Sequence, residues 1–486
     1  MTVRMGWLSD DAFISFRAAV NLVEGHGLVS NIGERVQGFT SPLWTLAVAA
    51  FYWAIRDVYV APMLLSVLAA TGTGWLLARR RDAGWAAALA LFLPTASHGF
   101  VSYSTSGLEN PLAHLLLAWF VVARLRPTPS PRAVWWVAGL LVLNRLDHVL
   151  LIAPVLIHEL VGAIRRREHW RTMASAAIGL SPLLAWLLFA TIYYGSPLPN
   201  TAYAKLNVEA PRLLLLGQGV SYVVDAALRD PIVPLALAFA GAAVWMDRKR
   251  GLAPILLYAG TASYVLYVVW VGGDFMSGRF FTAPYLVSVV LLADAANRAG
   301  VVVPALVAAA AACLGLRTFE PMQKDVRTRC DVGGTGIVDE RGCYVEHTGI
   351  AENLRIKKYL THPYNAVGKR FALQPGPVVT TTIGIAAFAA GPQVHLIDAY
   401  GLTDPLLARI RYQADDQFRI GHFARPIPPG YIDSLRSGQN QIADPCAHRL
   451  WDDLRLLTRG PLLAPGRFGA ILRMNLGQGT CPPAEG

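Results

Sequence analysis

Charged side chains are scarce in this sequence. Asp, Glu, Lys and Arg make up 15% of its 486 residues, whereas apolar and aromatic residues make up 54%. Because an ordinary soluble enzyme has about 25% charged residues, this composition excludes that class. The pattern is typical of a polytopic α-helical membrane protein that lies in a lipid bilayer.

The usual motifs of soluble enzymes are also missing. The sequence has no GxxxxGK[ST] phosphate loop, no GxGxxG turn, no GxSxG elbow and no HExxH pair. Nucleotide-driven transport and nucleotide-sugar chemistry therefore have no support, and no motif requires a cofactor. A lipid-borne substrate is the remaining candidate.

Cysteines are few, and none forms a tight CxxC pair that would indicate zinc. One of the five, Cys313, lies in an apolar stretch. The other four all follow residue 317, and an even number there predicts two disulfides in an oxidising compartment. The pairs Cys330–Cys343 and Cys446–Cys481 are the simplest of three pairings.

Positive charge exceeds negative charge by 11, but the excess does not indicate nucleic acid binding. Much of it falls in short loops between apolar stretches, as cytoplasmic loops of membrane proteins do. The clusters are Arg79–Arg81, Arg124 with Arg126 and Arg132, Arg165–Arg167 with Arg171, and Arg248–Arg250.

The apolar stretches predict about ten spans. They lie near residues 58–78, 83–101, 107–123, 133–146, 149–164, 172–193, 231–246, 252–271, 280–294 and 300–316. We therefore expect a transmembrane domain over residues 1–316 and a water-soluble extracytoplasmic α/β domain over residues 317–486. Within the second domain we expect strands at 378–383 and 394–397, and helices at 349–361 and 446–459. Residues 42–55 are too short to cross and are interpreted as interfacial or re-entrant.

If the arginine clusters are cytoplasmic, the polar loops 102–111, 144–148, 194–206 and 272–279 face the outside. Six charged residues fall in these loops: Glu109, Arg145, Asp147, Lys205, Asp274 and Arg279. Because successive spans run in opposite directions, Asp10 and Asp11 are expected on the same outer face. One outward-facing polar cavity is expected to hold all eight. The alternative for any one residue is a solvated charge or a helix cap, and for Arg145 and Asp147 an ion pair between two short helices.

Asp10 and Asp11 open an amphipathic helix ahead of the apolar stretches. Two adjacent carboxylates beside lipid-phase helices are costly unless they face water or a site, so a role in chemistry is favoured. The alternative is that Ser9 and Asp10 only cap the helix while Asp11 complements its dipole.

Several segments together resemble the terminal arabinofuranosyltransferases of the mycobacterial type and related bacterial membrane transferases of the GT-C superfamily. In chain order they are DDAFISFRAAVNLVEGHGLVSNIGERVQGFTSPLWT, TSGLENPL, YGSPLPNTAYAK, GGDFMSGRFFTAP, IDAYGLTDPLLAR, RIGHFARPIPPGY, QIADPC and TRGPLL. The resemblance implies a GT-C-like transmembrane bundle and a decaprenyl- or undecaprenyl-phosphoryl-D-arabinofuranose donor. It implies a glycan or protein acceptor outside the cytoplasmic membrane, and a catalytic base that maps onto Asp10 or Asp11.

The sequence departs from the family pattern at its start. GT-C enzymes have a membrane span before this acidic loop, and the sequence begins only nine residues before Asp10. We expect an assigned start too far downstream, or else a lost span.

Transfer of a sugar from a lipid phosphate needs a base for the acceptor hydroxyl and cations for the departing phosphate. We assign Asp10 or Asp11 as base and Arg279, Lys205 and Arg145 to the phosphate. Glu109 and Asp274 are assigned to sugar hydroxyls. A divalent cation that bridges the acidic pair to the phosphate is a further hypothesis, although no ligand spacing argues for it.

Two other classes remain open from the sequence. A transporter or flippase of a lipid-linked precursor also places charges near a cavity, but it usually has inverted repeats and does not need a large outer domain. A non-catalytic envelope glycan-binding protein could keep the fold without the activity. Within the enzyme class, a hexose or aminoarabinose is the alternative to arabinofuranose.

The predicted sidedness is testable with two reporter fusions that are active only outside the cytoplasm. A fusion at the C-terminus should be active and one after Arg167 should be silent, because Lys and Arg in short loops resist translocation. The reverse result would place the acidic loop in the cytoplasm and contradict the assigned orientation.

Overall fold

The computed structural model describes residues 5–79, 84–126, 128–165, 167, 169–297, 333–350, 353, 361–414, 418–477 and 479–483. The chain folds into two compact units. Unit 1 comprises residues 1–8, 63–183 and 213–356, and unit 2 comprises residues 9–62, 184–212 and 357–486. Each unit is therefore assembled from three separate stretches of chain.

Helices dominate the described structure. In chain order they are α1 Ala12–Val23, α2 Pro42–Ile55, α3 Val60–Ala78, α4 Gly84–Ala96, α5 His98–Tyr103, α6 Asn110–Arg124, α7 Pro131–Asn144, α8 Val149–Arg165, α9 His169–Tyr194, α10 Asn200–Leu206, α11 Arg212–Arg229, α12 Ile232–Met246, α13 Leu252–Trp270, α14 Thr282–Ala296, α15 Glu340–Thr348, α16 Pro363–Phe371, α17 Ile385–Ala390, α18 Tyr431–Ser437, α19 Pro445–Thr458 and α20 Arg467–Asn475. Short 3₁₀ turns cover Leu146–His148, Arg248–Arg250, Arg279–Phe281 and Leu407–Arg409.

Five of the described helical segments are long and apolar enough to cross a membrane. They are Val60–Ala78, Leu146–Arg165, Trp170–Tyr194, Leu252–Trp270 and Arg279–Ala296. A sixth crossing is added if α11 and α12, which meet at 101°, form one broken span. Three more predicted stretches are shorter helices in the structure, α4, α6 and α7. The predicted stretch 300–316 lies outside the described residues. The predicted class of polytopic helical membrane protein is confirmed.

Unit 1 is a helical bundle whose helices approach closely where side chains are small. Helix α8 packs against α13, α6 against α7 and α14, and α12 against α14. At Gly260 of α13, an added Cβ atom would overlap the carbonyl group of Leu151 in α8. Glycine therefore lets these two backbones touch, as small residues do between membrane helices.

Unit 2 contains the predicted strand–helix–strand element. Strand β2, Val378–Thr380, is followed by α17 and then by the parallel strand β3, Leu396–Asp398, with Val379 paired to Ile397. A second parallel pair joins β1, Val208–Glu209, to β4, Tyr412–Gln413. The core beside β3 is apolar and aromatic, and it includes Ile397, Leu406, Tyr431, Trp451 and Leu454.

Other expectations for the polar part of the chain have mixed outcomes. The helix predicted at 446–459 is α19, and the Cys446–Cys481 disulfide is present. Cys330 and most of the helix predicted at 349–361 lie outside the described residues. Residues 42–55 form α2, whose location relative to a membrane stays a prediction. Both units contain residues from before and after residue 317, so the division into 1–316 and 317–486 also stays a prediction.

Candidate functional site

Glu109 in unit 1 is a buried carboxylate shared by two arginines. It directly precedes α6, but its side chain makes no capping hydrogen bond to that helix. Its Oε1 atom instead accepts hydrogen bonds from Arg279 Nη2, at 2.9 Å, and from Arg145 Nη1. The side chains of Glu109, Arg279 and Arg145 are 5%, 12% and 11% exposed. Water therefore screens these ion pairs weakly.

Arg145 holds a second carboxylate. Its Nε and Nη2 atoms donate to Asp147 Oδ1 and Oδ2 at 3.0 and 2.7 Å, which is a bidentate arrangement. The Tyr264 hydroxyl of α13 donates to the same Oδ2 at 3.0 Å. The guanidinium carbon also lies 5.1 Å from the centre of the Phe280 ring. The Arg145–Asp147 ion pair at the junction of α7 and α8 is thus one part of a larger network.

Asp274 completes this cluster. Its Oδ2 atom lies 3.7 Å from Arg279 Nη1 and has no hydrogen-bond partner among the described residues, while its Oδ1 accepts the Phe275 N–H at 2.9 Å. The open lone pairs of Oδ2 suit a hydroxyl donor. Each arginine already contacts two carboxylates, so either one must exchange a carboxylate for a phosphate oxygen before it can hold a phosphate.

The cluster and the arginine-rich loops lie at opposite ends of the unit 1 helices. Glu109, Asp147 and Arg279 precede α6, α8 and α14, while Arg145 follows α7 and Asp274 follows α13. At the other end of α6, Arg124 and Arg126 line a pocket together with Asp247 and Asp294, which follow α12 and end α14. The sequence analysis separated the polar loops from the arginine-rich loops by taking the arginine clusters as cytoplasmic. That separation agrees with the order in which the helices connect these loops.

Asp10 belongs to unit 2 and does not cap the helix that it opens. The residue before α1 is Asp11, whose side chain makes no capping hydrogen bond. Asp10 Oδ1 instead accepts the Ile385 N–H at 2.8 Å. A Cβ atom on Gly384 would overlap the Asp10 carboxyl group, so glycine allows the two segments to meet. The Asp10 side chain therefore bonds outside the helix that it opens, whereas a cap by Ser9 and the dipole role of Asp11 stay predictions.

The surroundings of Asp10 change its ionisation. Burial raises the pKa of Asp10 to about 7, the Ile385 N–H opposes that increase, and the nearby Asp11 charge adds to it. A carboxyl group with a pKa near neutrality is half ionised under physiological conditions. Such a group is basic enough to accept a proton, and a large fraction of it is still in the reactive ionised form. Both are properties of an efficient general base.

Other buried carboxylates of unit 2 hold its loops together. Asp398 accepts the backbone N–H groups of Tyr400 and Thr403, both at 2.9 Å. Asp404 accepts the N–H groups of Leu406 and Leu407, as well as the Tyr431 hydroxyl at 2.9 Å. Burial raises the pKa of Asp398 to about 6 and that of Asp404 to about 7. Because their oxygens bind turn N–H groups, we interpret both as structural.

Of the eight predicted site residues, the structure brings together the five of unit 1: Glu109, Arg145, Asp147, Asp274 and Arg279. Asp10, Asp11 and Lys205 belong to unit 2, where Lys205 is exposed near the end of α10. The single cavity holding all eight stays a prediction. Tyr264 was missed because a tyrosine inside an apolar helix gives no sequence signal.

No metal centre is evident in the part of the chain that the structure describes. No group of three His, Cys, Asp or Glu side chains within those residues could hold a metal ion. The bridging cation stays a hypothesis, and no step below depends on it.

No family model matches the sequence. The chain is 29% identical, over 90% of its length and 87% of the relative's, to a terminal beta-(1->2)-arabinofuranosyltransferase of Mycobacterium tuberculosis. It is 30% identical, over 57% of its length and 46% of the relative's, to the protein of the same name from Corynebacterium glutamicum. The crystal structure of ArnT from Cupriavidus metallidurans in the apo state has a similar fold, with a TM-score of 0.50, 13% identity and coverage of 83% of this chain and 84% of that one.

The chain has a GT-C-like helical membrane fold, and its named relatives support a glycosyltransferase. Within this class, the chain is similar to terminal arabinofuranosyltransferases over nearly its whole length. The predicted resemblance and the predicted class of enzyme are both confirmed. These relatives favour an enzyme over the transporter and the non-catalytic alternatives.

The Glu109 network should make a large contribution to stability. Glu109→Gln removes the charge shared by two buried guanidinium groups, and breaking a buried ion pair costs about 3–5 kcal/mol. The matched control is Glu209→Gln, which breaks the Glu209–Arg411 pair, whose side chains are 50% and 49% exposed; its expected cost is about 0–1 kcal/mol. Thermal unfolding of both variants in lipid nanodiscs measures the difference. Equal melting temperatures for the two variants would contradict the assigned role.

Proposed function

We propose that this glycosyltransferase transfers D-arabinofuranose from a polyprenyl-phosphate donor to a glycan or protein acceptor of the cell envelope. The sugar is suggested by the names of both relatives. A lipid-linked donor agrees with the membrane-spanning helices and with the absence of nucleotide-binding motifs in the sequence. The proposed site of action is the outer face of the cytoplasmic membrane, where a sugar carried on lipid needs no nucleotide.

The pKa of Asp10, near 7, is the observation that carries the proposed mechanism. With Oδ1 held by the Ile385 N–H, the second carboxylate oxygen takes the proton from the acceptor hydroxyl. The acceptor oxygen then forms a bond to the anomeric carbon of the donor sugar. The bond from that carbon to the phosphate oxygen breaks, and polyprenyl phosphate leaves with the electron pair. Asp11, the neighbouring charge, is assigned to keep the pKa of Asp10 high.

Arg145 and Arg279 are the proposed partners of the departing phosphate. Guanidinium groups match phosphate oxygens bidentately, and both arginines are partly accessible at 11% and 12% exposure. While no phosphate is bound, their carboxylate partners balance their charge. Lys205 remains a proposed phosphate partner from unit 2, and Glu109 and Asp274 remain proposed contacts of sugar hydroxyls, with Asp274 Oδ2 as the open acceptor.

The pH dependence of transfer tests the assignment of the base. A base must be ionised to accept a proton, so the rate should rise with pH through about 7 and level off above it. Asp10→Asn should lower the rate by about 100-fold or more and remove that rise, because an amide cannot accept the proton. Radiolabel transfer from polyprenyl-phosphate arabinofuranose is the measurement.

Two further variants give this experiment its controls. Asp433→Asn alters a carboxylate that is 63% exposed and should leave the pH profile unchanged. Asp11→Asn should shift the rise to lower pH, because it removes a charge that raises the pKa of Asp10. A normal rate and profile in Asp10→Asn would exclude Asp10 as the base, and normal turnover in both single variants would exclude the acidic pair.

A further inference from the structure

The loop of residues 272–279, which carries Asp274 and Arg279, has a backbone with unusual freedom. Its three glycines, Gly272, Gly273 and Gly278, have φ angles of 90°, 73° and 70°. Glycine adopts this left-handed region without strain, but it also leaves the chain many other conformations. Such a loop keeps a single shape only if neighbouring elements bind it. The location of the Arg279 side chain therefore depends on contacts from outside the loop.

Helix α11 supplies several of these contacts. Its buried face includes Gly219 and Tyr222. A Cβ atom on Gly219 would overlap the carbonyl group of Val269, so glycine lets α11 approach the end of α13, where the loop begins. One turn further along α11, Asp225 Oδ2 accepts a hydrogen bond from the Ser277 hydroxyl. Helix α11 thus contacts the loop at more than one point.

Tyr222 makes the contact closest to Arg279 in the sequence. Its side chain is fully buried. Its hydroxyl donates to the Met276 carbonyl at 2.9 Å and accepts the Phe280 N–H at 3.1 Å. A single hydroxyl can do both because it carries one donor and two acceptor lone pairs. Since Met276 and Phe280 lie on either side of Arg279, the hydroxyl fixes the backbone before and after the arginine.

The ring of Tyr222 fixes the same segment from a second direction. It stacks on the ring of Phe281, with ring centres 5.3 Å apart and planes inclined by 22°. A Cβ atom on Gly273 would come within 2.5 Å of the Tyr222 Cβ, so the start of the loop also lies against this side chain. Tyr222 therefore packs against both ends of the loop.

These contacts lead to both arginines of the candidate site. The Met276 carbonyl that accepts the Tyr222 hydroxyl also accepts the Arg279 N–H, at 3.4 Å. The Phe280 N–H that Tyr222 binds belongs to the residue whose ring centre lies 5.1 Å from the Arg145 guanidinium carbon. Tyr222 is thus connected to Arg279 through the backbone and to Arg145 through the Phe280 ring.

We infer that Tyr222 is a positioning residue, which holds Arg279 and Arg145 where a lipid phosphate can bind their guanidinium groups. The inference rests on the proposed role of these arginines as phosphate partners. Each arginine must exchange a carboxylate for a phosphate oxygen, and a fixed backbone confines that exchange to the end of the side chain. Without the Tyr222 hydroxyl the loop would have to be ordered when the phosphate binds, which weakens binding.

The test is native mass spectrometry of the full chain in detergent, titrated with undecaprenyl phosphate and, separately, with undecaprenol. Tyr222→Phe keeps the ring and removes only the hydroxyl. It should weaken binding of undecaprenyl phosphate about tenfold, which corresponds to one lost hydrogen bond. Binding of undecaprenol, which has no phosphate, should not change. A general loss of structure would weaken binding of both lipids.

The matched control is Tyr285→Phe. It also removes a hydroxyl from a fully buried tyrosine of unit 1, and that hydroxyl donates to the Leu93 carbonyl in α4 instead of to the loop. This variant should bind both lipids as the unaltered protein does.

A double variant separates positioning from a purely structural role. Arg279→Met should itself weaken binding of undecaprenyl phosphate. In that background Tyr222→Phe should cost about threefold or less instead of about tenfold, because residues that act through each other are not additive. The comparison of the two lipids decides the inference even if the double variant does not fold.

Three results would overturn the inference. They are unchanged binding of undecaprenyl phosphate in Tyr222→Phe, an equal loss for undecaprenol, and a tenfold loss in both the unaltered and the Arg279→Met background. Unchanged phosphate binding in Arg279→Met would remove the role on which the inference rests.

The outcome is separable from that of the proposed function. If Tyr222→Phe selectively weakens phosphate binding but the unaltered protein transfers no sugar, the proposed function fails and the positioning role stands. If transfer depends on Asp10 while Tyr222→Phe binds undecaprenyl phosphate normally, the positioning role fails and the proposed function stands.

Discussion

The sharing of Glu109 by Arg145 and Arg279 is the interaction on which the organisation of unit 1 depends. Together with Asp147 and Tyr264, it connects the start of α6, the junction of α7 and α8, the body of α13 and the approach to α14. Taking several ionised groups out of water is expensive, and apolar residues of similar size often stabilise such positions equally well. Stability alone therefore does not account for the cluster, and the proposed role in binding a phosphate and sugar hydroxyls supplies a separate reason for it.

Unit 2 meets a different constraint, since its described strands are only two or three residues long and cannot order its loops. Buried arginines perform that task by donating to backbone carbonyls. Arg17 binds the carbonyls of Ser30, Ala387 and Val394, and Arg425 binds those of Tyr400, Ile410 and Ala204. Several of these bonds join segments that are distant in the sequence, and they give the loops of unit 2 a fixed backbone.

Hydropathy was sufficient to predict most of the membrane helices, because a bilayer demands long apolar stretches and internal hydrogen bonding. It missed α11, where polar residues such as Gln218, Ser221 and Asp225 interrupt the apolar pattern. The strand–helix–strand element and the Cys446–Cys481 disulfide followed from β-branched runs and cysteine parity. The assembly of each unit from three stretches was beyond prediction, since local patterns do not report contacts between distant segments.

The candidate site was predictable where the alternation of loops between the two sides of the membrane decides which residues meet. Five charged residues from three loops meet in unit 1 because those loops follow or precede helices at one end of the bundle. Their partners were not predictable, since a sequence does not say whether a buried arginine faces a carboxylate, a carbonyl or a ligand. Tyr264 shows this most clearly. Its apolar helix gives no signal, and only the structure reveals that its hydroxyl donates to Asp147 Oδ2 at 3.0 Å.

The central claim is that this membrane glycosyltransferase takes arabinofuranose from a lipid phosphate. The most direct measurement supplies proteoliposomes of the purified protein with an arabinan acceptor and, in parallel, radiolabelled polyprenyl-phosphate arabinofuranose, polyprenyl-phosphate hexose or a nucleotide-linked sugar. The account predicts label in the arabinan only with the first donor. Label transferred only from the nucleotide-linked sugar, or from none of the three while the protein remains folded, would contradict it.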